Sequence, residues 1–167
     1  MATTRDGGGA RPCGGGGAGK AGTLILGVGN LLLGDEGVGI HCVCALENEG
    51  LPEDVRLMDG GTGGLHLLGW LEGYRRIVMI DAALDGNPPG TVRHIRPRRA
   101  AEFPPLLSAH EIGLRDMVEA MFLTGDLPEI DLVAVSVADV GGLGTELSPE
   151  ASAAVPEAVA LVKALIA

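Results

Sequence analysis

The sequence predicts an α/β fold, namely a three-layer αβα sandwich around a mostly parallel twisted sheet with an antiparallel edge strand. Two observations support this prediction. Short apolar runs, typical of buried strands, alternate with longer stretches that have helical periodicity. Turns rich in glycine and polar residues separate these segments, and no internal repeat is visible. Such alternation is typical of parallel strands connected by helices that cover both faces of the sheet.

The strand predictions depend on apolar runs that end at turns. Most of the runs are continuous, which indicates strands buried on both faces. Only the fourth segment alternates apolar and polar residues, and it follows the turn Asn87-Pro88-Pro89-Gly90, which favours an edge strand. In chain order the predicted strands are Thr23–Val28, Val55–Met58, Arg76–Ile80, Thr91–Arg96 and Asp131–Val137.

The helix predictions depend on periodicity and on stop signals. Thr124-Gly125, with Pro128 just beyond, ends the third helical pattern. The last pattern begins at a proline and continues almost to the end of the chain. In chain order the predicted helices are Gly37–Glu49, Leu65–Glu72, His110–Leu123 and Pro149–Ile166.

At 167 residues, the chain has the length of one domain. We predict that residues 23–167 form a single α/β domain and that residues 1–22, which are rich in glycine, form a flexible tail. Within the tail, Gly14–Ala21 is similar to a phosphate-binding P-loop, but Ala21 lacks the required hydroxyl and no strand precedes the loop. The turn after the first strand lacks the third glycine of the dinucleotide fingerprint, because Leu32 stands there.

The composition excludes several classes of partner. A formal net charge of −10 and an aromatic content of 2% argue against nucleic-acid binding. The chain has no run of about eighteen apolar residues, so we expect no membrane insertion, and its first residues do not form a secretory signal. Three cysteines without a CxxC pair argue against a structural zinc site and fit a reducing cytoplasm. We expect a cytoplasmic monomer.

Polar side chains follow the predicted strands at the points where these strands end. Asp35 and Glu36 lie in a glycine-framed turn after the first strand, Asp59 ends the second strand, and Asp81 ends the third. His110 stands in a loop just before a helix. Because strand carboxyl ends share one rim of such a sheet, these groups can converge there. Carboxylate and imidazole donors together suit zinc or nickel better than calcium or magnesium.

Each of these residues also has a simpler interpretation. Asp59 and Asp81 could cap the helices that follow them, and His110 could be a capping residue. His94 is expected to face solvent on the edge strand. Asp139, at the end of the last strand, is a weaker fourth candidate.

Four motifs resemble those of the hydrogenase maturation endopeptidases. They occur in the family's order and at similar spacing, and the similarity covers the chain from Thr23 to its end. The motifs are Gly29-Asn30-x-Leu32-x-x-Asp35-Glu36-x-x-Gly39, Asp59-Gly60-Gly61-Thr62, Ile80-Asp81-Ala82 and Ser108-x-His110-x-x-Gly113-Leu114.

The resemblance implies a metal-dependent endopeptidase. Members of the family remove a short C-terminal extension from the large-subunit precursor of a [NiFe] hydrogenase after nickel insertion. Their metal-binding residues match Glu36, Asp81 and His110. The resemblance further implies that the precursor supplies the nickel, for which zinc or cadmium could substitute in the site.

We expect the remaining motif residues to act around this metal site. Asp35, Glu36 and Asp81 are the candidate catalytic carboxylates, with Asp35 either supporting a ligand or accepting a proton. A flexible wall that admits an extended peptide is expected from Asp59, Gly60, Gly61 and Thr62.

Two other functions stay open at this stage. One is a non-enzymatic nickel-binding or nickel-sensing module on the same scaffold. The other is a metal-independent hydrolase, for which Ser108 and His110 are close in sequence but lack a nucleophile motif. The chain also departs from the family pattern in its tail and at Ser136-Val137-Ala138-Asp139, where many members have a proline.

Overall fold

The computed structural model describes residues 22–98, 128–138 and 143–167, the backbone of Arg11–Cys13 and a few separate positions in between. The predicted site residues His110 and Asp139, and also Ser108, lie outside the described residues. So does most of the helix predicted over residues 110–123. The described positions within that helix are helical, namely Glu119, Met121 and Leu123.

The described part of the chain contains a six-stranded sheet. Its strands are β1 (Arg11–Cys13), β2 (Thr23–Val28), β3 (Val55–Gly61), β4 (Arg76–Ala83), β5 (Val92–Ile95) and β6 (Glu129–Ser136), in the order β1-β3-β2-β4-β6-β5. The pairs β2–β3, β2–β4 and β4–β6 are parallel. Strand β5 is antiparallel to β6 at one edge. The predicted mostly parallel sheet with an antiparallel edge strand is therefore confirmed.

A second antiparallel edge comes from the segment predicted to be a tail. Strand β1 pairs with β3, with Arg11 opposite Asp59 and Cys13 opposite Leu57. The pairing covers the backbone edge of β3 that would otherwise be open to solvent or to another chain. Glycine-rich composition did not indicate this strand, because three paired residues leave no periodicity to detect. The remaining residues of 1–21 lie outside the described part of the chain.

The helices whose full bounds lie within the described residues are α1 (Val38–Leu46), α2 (Leu68–Leu71) and α3 (Pro149–Ile166). Two 3₁₀ turns precede the first two of them, at Gly34–Gly37 and Gly64–Leu67. Two apolar cores lie on opposite faces of the sheet. Alternate residues of β2 show the division, because Ile25 packs with α1 and α3 whereas Leu24 and Leu26 pack with Leu71 of α2. The three-layer arrangement follows from this alternation.

Two strands continue beyond their predicted ends, which changes the position of two candidate residues. Strand β3 extends to Gly61, so Asp59 lies within it instead of after it. Strand β4 extends to Ala83, so Asp81 also lies inside a strand. Strand β4 is longer than predicted because β6 continues to pair with it through Asp81 and as far as Ala83.

Helix α3 begins and ends where the sequence predicts. Ser148 is its N-cap and accepts a hydrogen bond from the backbone N–H of Ala151, and Pro149 occupies the first turn, where no N–H is needed. Among the described helices, none combines the length and apolar character needed to cross a bilayer.

Candidate active site

Two glycines bring the Glu36 turn against the sheet. A side chain at Gly29, whose φ is +140°, would place its Cβ 1.8 Å from the carbonyl oxygen of Glu36. A Cβ at Gly39 would lie 2.3 Å from the carbonyl oxygen of Ile80. Only glycine permits these approaches. Because Ile80 immediately precedes Asp81, the turn that carries Glu36 is packed beside the segment of β4 that carries Asp81.

Asp81 is a carboxylate removed from water. Its relative exposure is 0%, and its Oδ1 accepts the backbone N–H of Ala82 at 2.8 Å. An ionised carboxylate is retained in such surroundings only with hydrogen bonds, an opposing charge or a metal. The backbone of a paired central strand fixes its position, which suits a ligand that must not move.

Asp35 is bonded to the N-cap residue of a distant helix. Its Oδ1 accepts the backbone N–H of Ser148 at 2.6 Å, and its Oδ2 accepts the Ser148 hydroxyl at 2.7 Å. Both carboxylate oxygens are therefore engaged with the N-cap of α3. Of the two roles considered for Asp35, this geometry favours support of the neighbouring Glu36 over proton transfer.

The Asp59–Thr62 segment borders the same turn. Asp59 Oδ1 accepts the backbone N–H of Gly61 at 2.9 Å, and the Gly61 carbonyl accepts the N–H of Gly29 at 3.0 Å. Asp59 therefore caps its own turn and not the helix that follows. Thr62 is exposed and Gly60 is buried. The segment predicted as a substrate wall is thus bonded to the loop that holds Glu36.

The structure brings Asp35, Glu36, Asp81 and the wall to one rim of the sheet. Within the described residues, no group of three histidine, cysteine or acidic side chains has a geometry that could hold a metal ion. His110 is outside those residues, so its convergence with Glu36 and Asp81 stays a prediction.

Sequence reasoning missed a second acidic group near this rim. Asp85 lies just after β4 and pairs with Arg93, while the Ser136 hydroxyl donates to Asp85 Oδ2 at 3.1 Å. Desolvation raises the pKa of Asp85, but hydrogen bonds from Asn87 and Ser136 and the charge of Arg93 outweigh it, so the pKa is lowered. Asp85 is thereby held ionised as part of the scaffold that supports the ends of β4 and β6.

His94 is exposed on the edge strand, as the sequence predicts, yet its ring also contacts a buried aspartate that sequence reasoning missed. Its Nε2 lies 2.6 Å from Oδ1 of Asp131, a fully buried residue of β6. The sequence feature that could have revealed this contact is an aspartate inside an otherwise apolar strand, with basic residues on the neighbouring edge strand. This cluster lies at the amino end of β6, away from the candidate site.

Comparison with known proteins identifies the family. A family model described as hydrogenase maturation protease matches residues 40–164. The chain belongs to this family. It is therefore a peptidase, as the motifs imply. The matched range includes Asp59, Asp81 and His110, whereas Asp35 and Glu36 lie just before it.

Individual relatives agree with the assignment. The hydrogenase 2 maturation protease of Escherichia coli is 40% identical over 116 residues, which cover 67% of this chain and 71% of that protein. The hydrogenase expression/formation protein HupM of Azotobacter chroococcum is 36% identical over 148 residues, 86% of this chain and 71% of that protein.

Solved structures share the fold. The hydrogenase maturating endopeptidase HybD from Escherichia coli superposes with a TM-score of 0.77 at 36% identity, covering 86% of this chain and 91% of that chain. HybD from Thermococcus kodakarensis, a [NiFe] hydrogenase maturation protease, gives a TM-score of 0.72 at 30% identity, with 87% and 99% covered. The αβα architecture of this chain is that of the family.

Proposed function

We propose that this protein is an endopeptidase that removes a short C-terminal extension from the nickel-loaded large-subunit precursor of a [NiFe] hydrogenase. The observation that carries the proposal is the buried carboxylate of Asp81, packed beside the Glu36 turn at the rim of a peptidase fold. Family membership supports the reaction class, and the resemblance of the motifs supports the substrate.

The donor chemistry fits a nickel ion that arrives with the precursor. Glu36 and Asp81 supply carboxylate oxygens, and His110 would supply an imidazole nitrogen, a set that borderline transition ions accept. Zinc or cadmium would suit the same donors. An ion held by these residues would act as a Lewis acid toward the scissile carbonyl.

The chain's own residues orient the substrate. Asp81 is fixed by β4 and by the N–H of Ala82, and Glu36 is held by the Asp35–Ser148 bonds one residue away. The segment from Asp59 to Thr62 would line one side of the extended peptide. Holding the scissile bond against fixed carboxylates lowers the barrier through proximity.

Two free cysteines are consistent with action in the cytoplasm. Cys42 is buried and Cys44 is exposed, and neither is in a disulfide. Burial raises the pKa of Cys42 to about 12, so that side chain remains a protonated thiol. Free thiols persist in a reducing compartment. We propose a cytoplasmic location, where the precursor would also be found, and a monomeric enzyme.

The experiment that separates an enzyme from a nickel-binding module is direct. Purified protein is mixed with nickel-loaded precursor, and the mass of the precursor is followed over time. Loss of a C-terminal peptide at substoichiometric protein supports the endopeptidase. A stable complex with a precursor of unchanged mass would instead establish the binding module.

A further inference from the structure

Several large apolar side chains are exposed beside the candidate site. Leu32 is 62% exposed and Leu143 is 92% exposed, and Leu31 also reaches solvent. These three residues, called here the leucine rim, lie on two segments next to the Glu36 turn. Exposed apolar groups gathered at one place indicate recognition of a partner.

The first segment is a tight turn that holds its leucines outward. The side-chain Oδ1 of Asn30 accepts the backbone N–H of Leu32 at 2.9 Å, and the Asn30 carbonyl accepts the N–H of Leu33 at 3.1 Å. These two bonds place Leu31 and Leu32 at the tip of the turn. Their exposure is therefore a property of a hydrogen-bonded backbone.

The second segment is bonded to the first along its backbone. Leu33 and Gly144 form a parallel bridge, in which Gly34 donates to the Gly144 carbonyl at 2.7 Å and Gly144 donates to the Leu32 carbonyl at 2.9 Å. The bonds between Asp35 and Ser148 join the same two segments again. Leu143 is thereby carried next to the Leu32 backbone.

We infer, on the basis of the proposed function, that the leucine rim is a docking surface for an apolar side chain of the precursor polypeptide close to its cleavage site. The rim is continuous with the catalytic turn, because Gly34 bonds to Gly144 and begins the 3₁₀ turn that contains Glu36. A polypeptide that reaches Glu36 therefore passes beside these leucines. An apolar segment would bury them, whereas a charged segment would lose hydration.

Such a surface would contribute binding energy away from the reacting bond. Interactions with non-reacting parts of a substrate hold it in position for the chemical step. The Asp59–Thr62 wall presents glycine and polar groups, so it offers little apolar area. The leucine rim would thus select the sequence of the precursor next to the cut.

The test is steady-state cleavage of nickel-loaded precursor by the full chain carrying Leu32→Ser or Leu143→Ser. We expect KM to rise about tenfold while kcat stays within about twofold, because the apolar contact is made before and during the chemical step. Leu32→Met, which keeps apolar area, should restore a KM near that of the wild type.

The matched control is Trp70→Ser, since Trp70 is another exposed apolar residue but lies on α2, the helix that leads to the amino end of β4. The control should leave KM unchanged.

Precursor binding measured in the Asp81→Asn background separates this inference from the proposed function. Weaker binding by the leucine variants, with no cleavage by the wild type, keeps the docking surface and refutes the endopeptidase. Cleavage by the wild type with equal affinity and KM in all variants overturns the docking surface. A fall in kcat alone would also overturn it, as would a wild-type dimer in sedimentation that Leu32→Ser abolishes, because the surface would then serve a second copy of the chain.

Discussion

The two ends of the sheet each contain a fully buried aspartate, and their surroundings differ. Near the amino end, Asp131 accepts hydrogen bonds from Arg76 at 2.7 Å and from Arg96 at 3.0 Å, and it lies 2.6 Å from His94. Near the carboxyl end, Asp81 accepts a backbone N–H and lies beside the turn that carries Asp35 and Glu36.

We expect the neighbouring groups to separate a structural carboxylate, Asp131, from a candidate functional one, Asp81. The guanidinium groups of Arg76 in β4 and of Arg96 just after β5 pair with Asp131, so its charge is balanced by the scaffold. Asp81 lies beside a second turn that carries carboxylates, an arrangement that would suit a cation delivered with the precursor. Burial is the same in both places, so we expect the chemistry of the neighbours to decide the role of each aspartate.

The largest effect is expected from Asp81→Asn. This change keeps the shape of the side chain and the acceptor for the Ala82 N–H but removes the negative charge. We predict that kcat for precursor cleavage falls at least about a hundredfold, with little change in the free energy of unfolding. Cleavage kinetics and urea titration measure the two quantities. Normal cleavage by this variant would remove Asp81 from the site.

The matched change at the other end of the sheet, Asp131→Asn, should lower the free energy of unfolding and leave kcat nearly unchanged. It leaves Arg76, Arg96 and His94 with a weaker partner, and we predict a loss of about 2 kcal/mol in unfolding free energy. The loss is smaller than for a fully buried ion pair because Arg96 and His94 are partly exposed. Cleavage at a temperature where the variant is folded should be near normal. A stable but inactive Asp131→Asn protein would contradict the division of roles.

The same cluster predicts how stability depends on pH. Desolvation raises the pKa of Asp131, but its bonds with Arg96, His94 and Arg76 outweigh this, so the pKa in the folded protein lies below the ordinary value of 3.8. The stabilisation is therefore present above pH 3.8 and is lost as the pH falls through the lower, folded-state value. In denaturant titrations below about pH 5, the wild type should lose stability more steeply than Asp131→Asn. Parallel pH profiles would contradict the prediction.

A smaller effect is expected at Ser148, which links helix α3 to the turn that carries Asp35 and Glu36. Ser148→Ala removes the hydroxyl that bonds to Asp35 and to Ala151, so we predict a loss of about 1 kcal/mol in stability. We also predict a fall of a few-fold in kcat with KM unchanged, because Glu36 loses support. Ser148→Thr keeps the hydroxyl and should restore both values. If Ser148→Ala lowers stability but leaves kcat intact, the link serves the fold alone.

The sequence was sufficient for features encoded within a few residues. Helix α3 is predicted to its ends because Pro149 and the apolar period that follows it are local signals. The order of the motifs placed Asp35, Glu36, Asp59 and Asp81 near one rim, since carboxyl ends of parallel strands meet there. These inferences need no knowledge of distant contacts.

Features that depend on partners far along the chain were missed. The continuation of β4 through Asp81 is decided by pairing with β6. The hydrogen bond between Asp35 and Ser148 joins residues that are 113 positions apart in the sequence. The contact between His94 and Asp131 joins residues that are 37 positions apart. Strand β1 forms because β3 has an open edge, which the composition of the first residues does not reveal.

We propose that the rim carboxylates act on nickel that the precursor brings. The most direct measurement is a comparison of nickel-loaded and nickel-free precursor, each incubated with enzyme that was treated with chelator and then freed of it. We predict that the loaded precursor is shortened at the normal rate and that the nickel-free precursor stays intact at any enzyme concentration. Cleavage of the nickel-free precursor by enzyme that retains its own tightly bound zinc would contradict the claim and establish an ordinary metalloprotease.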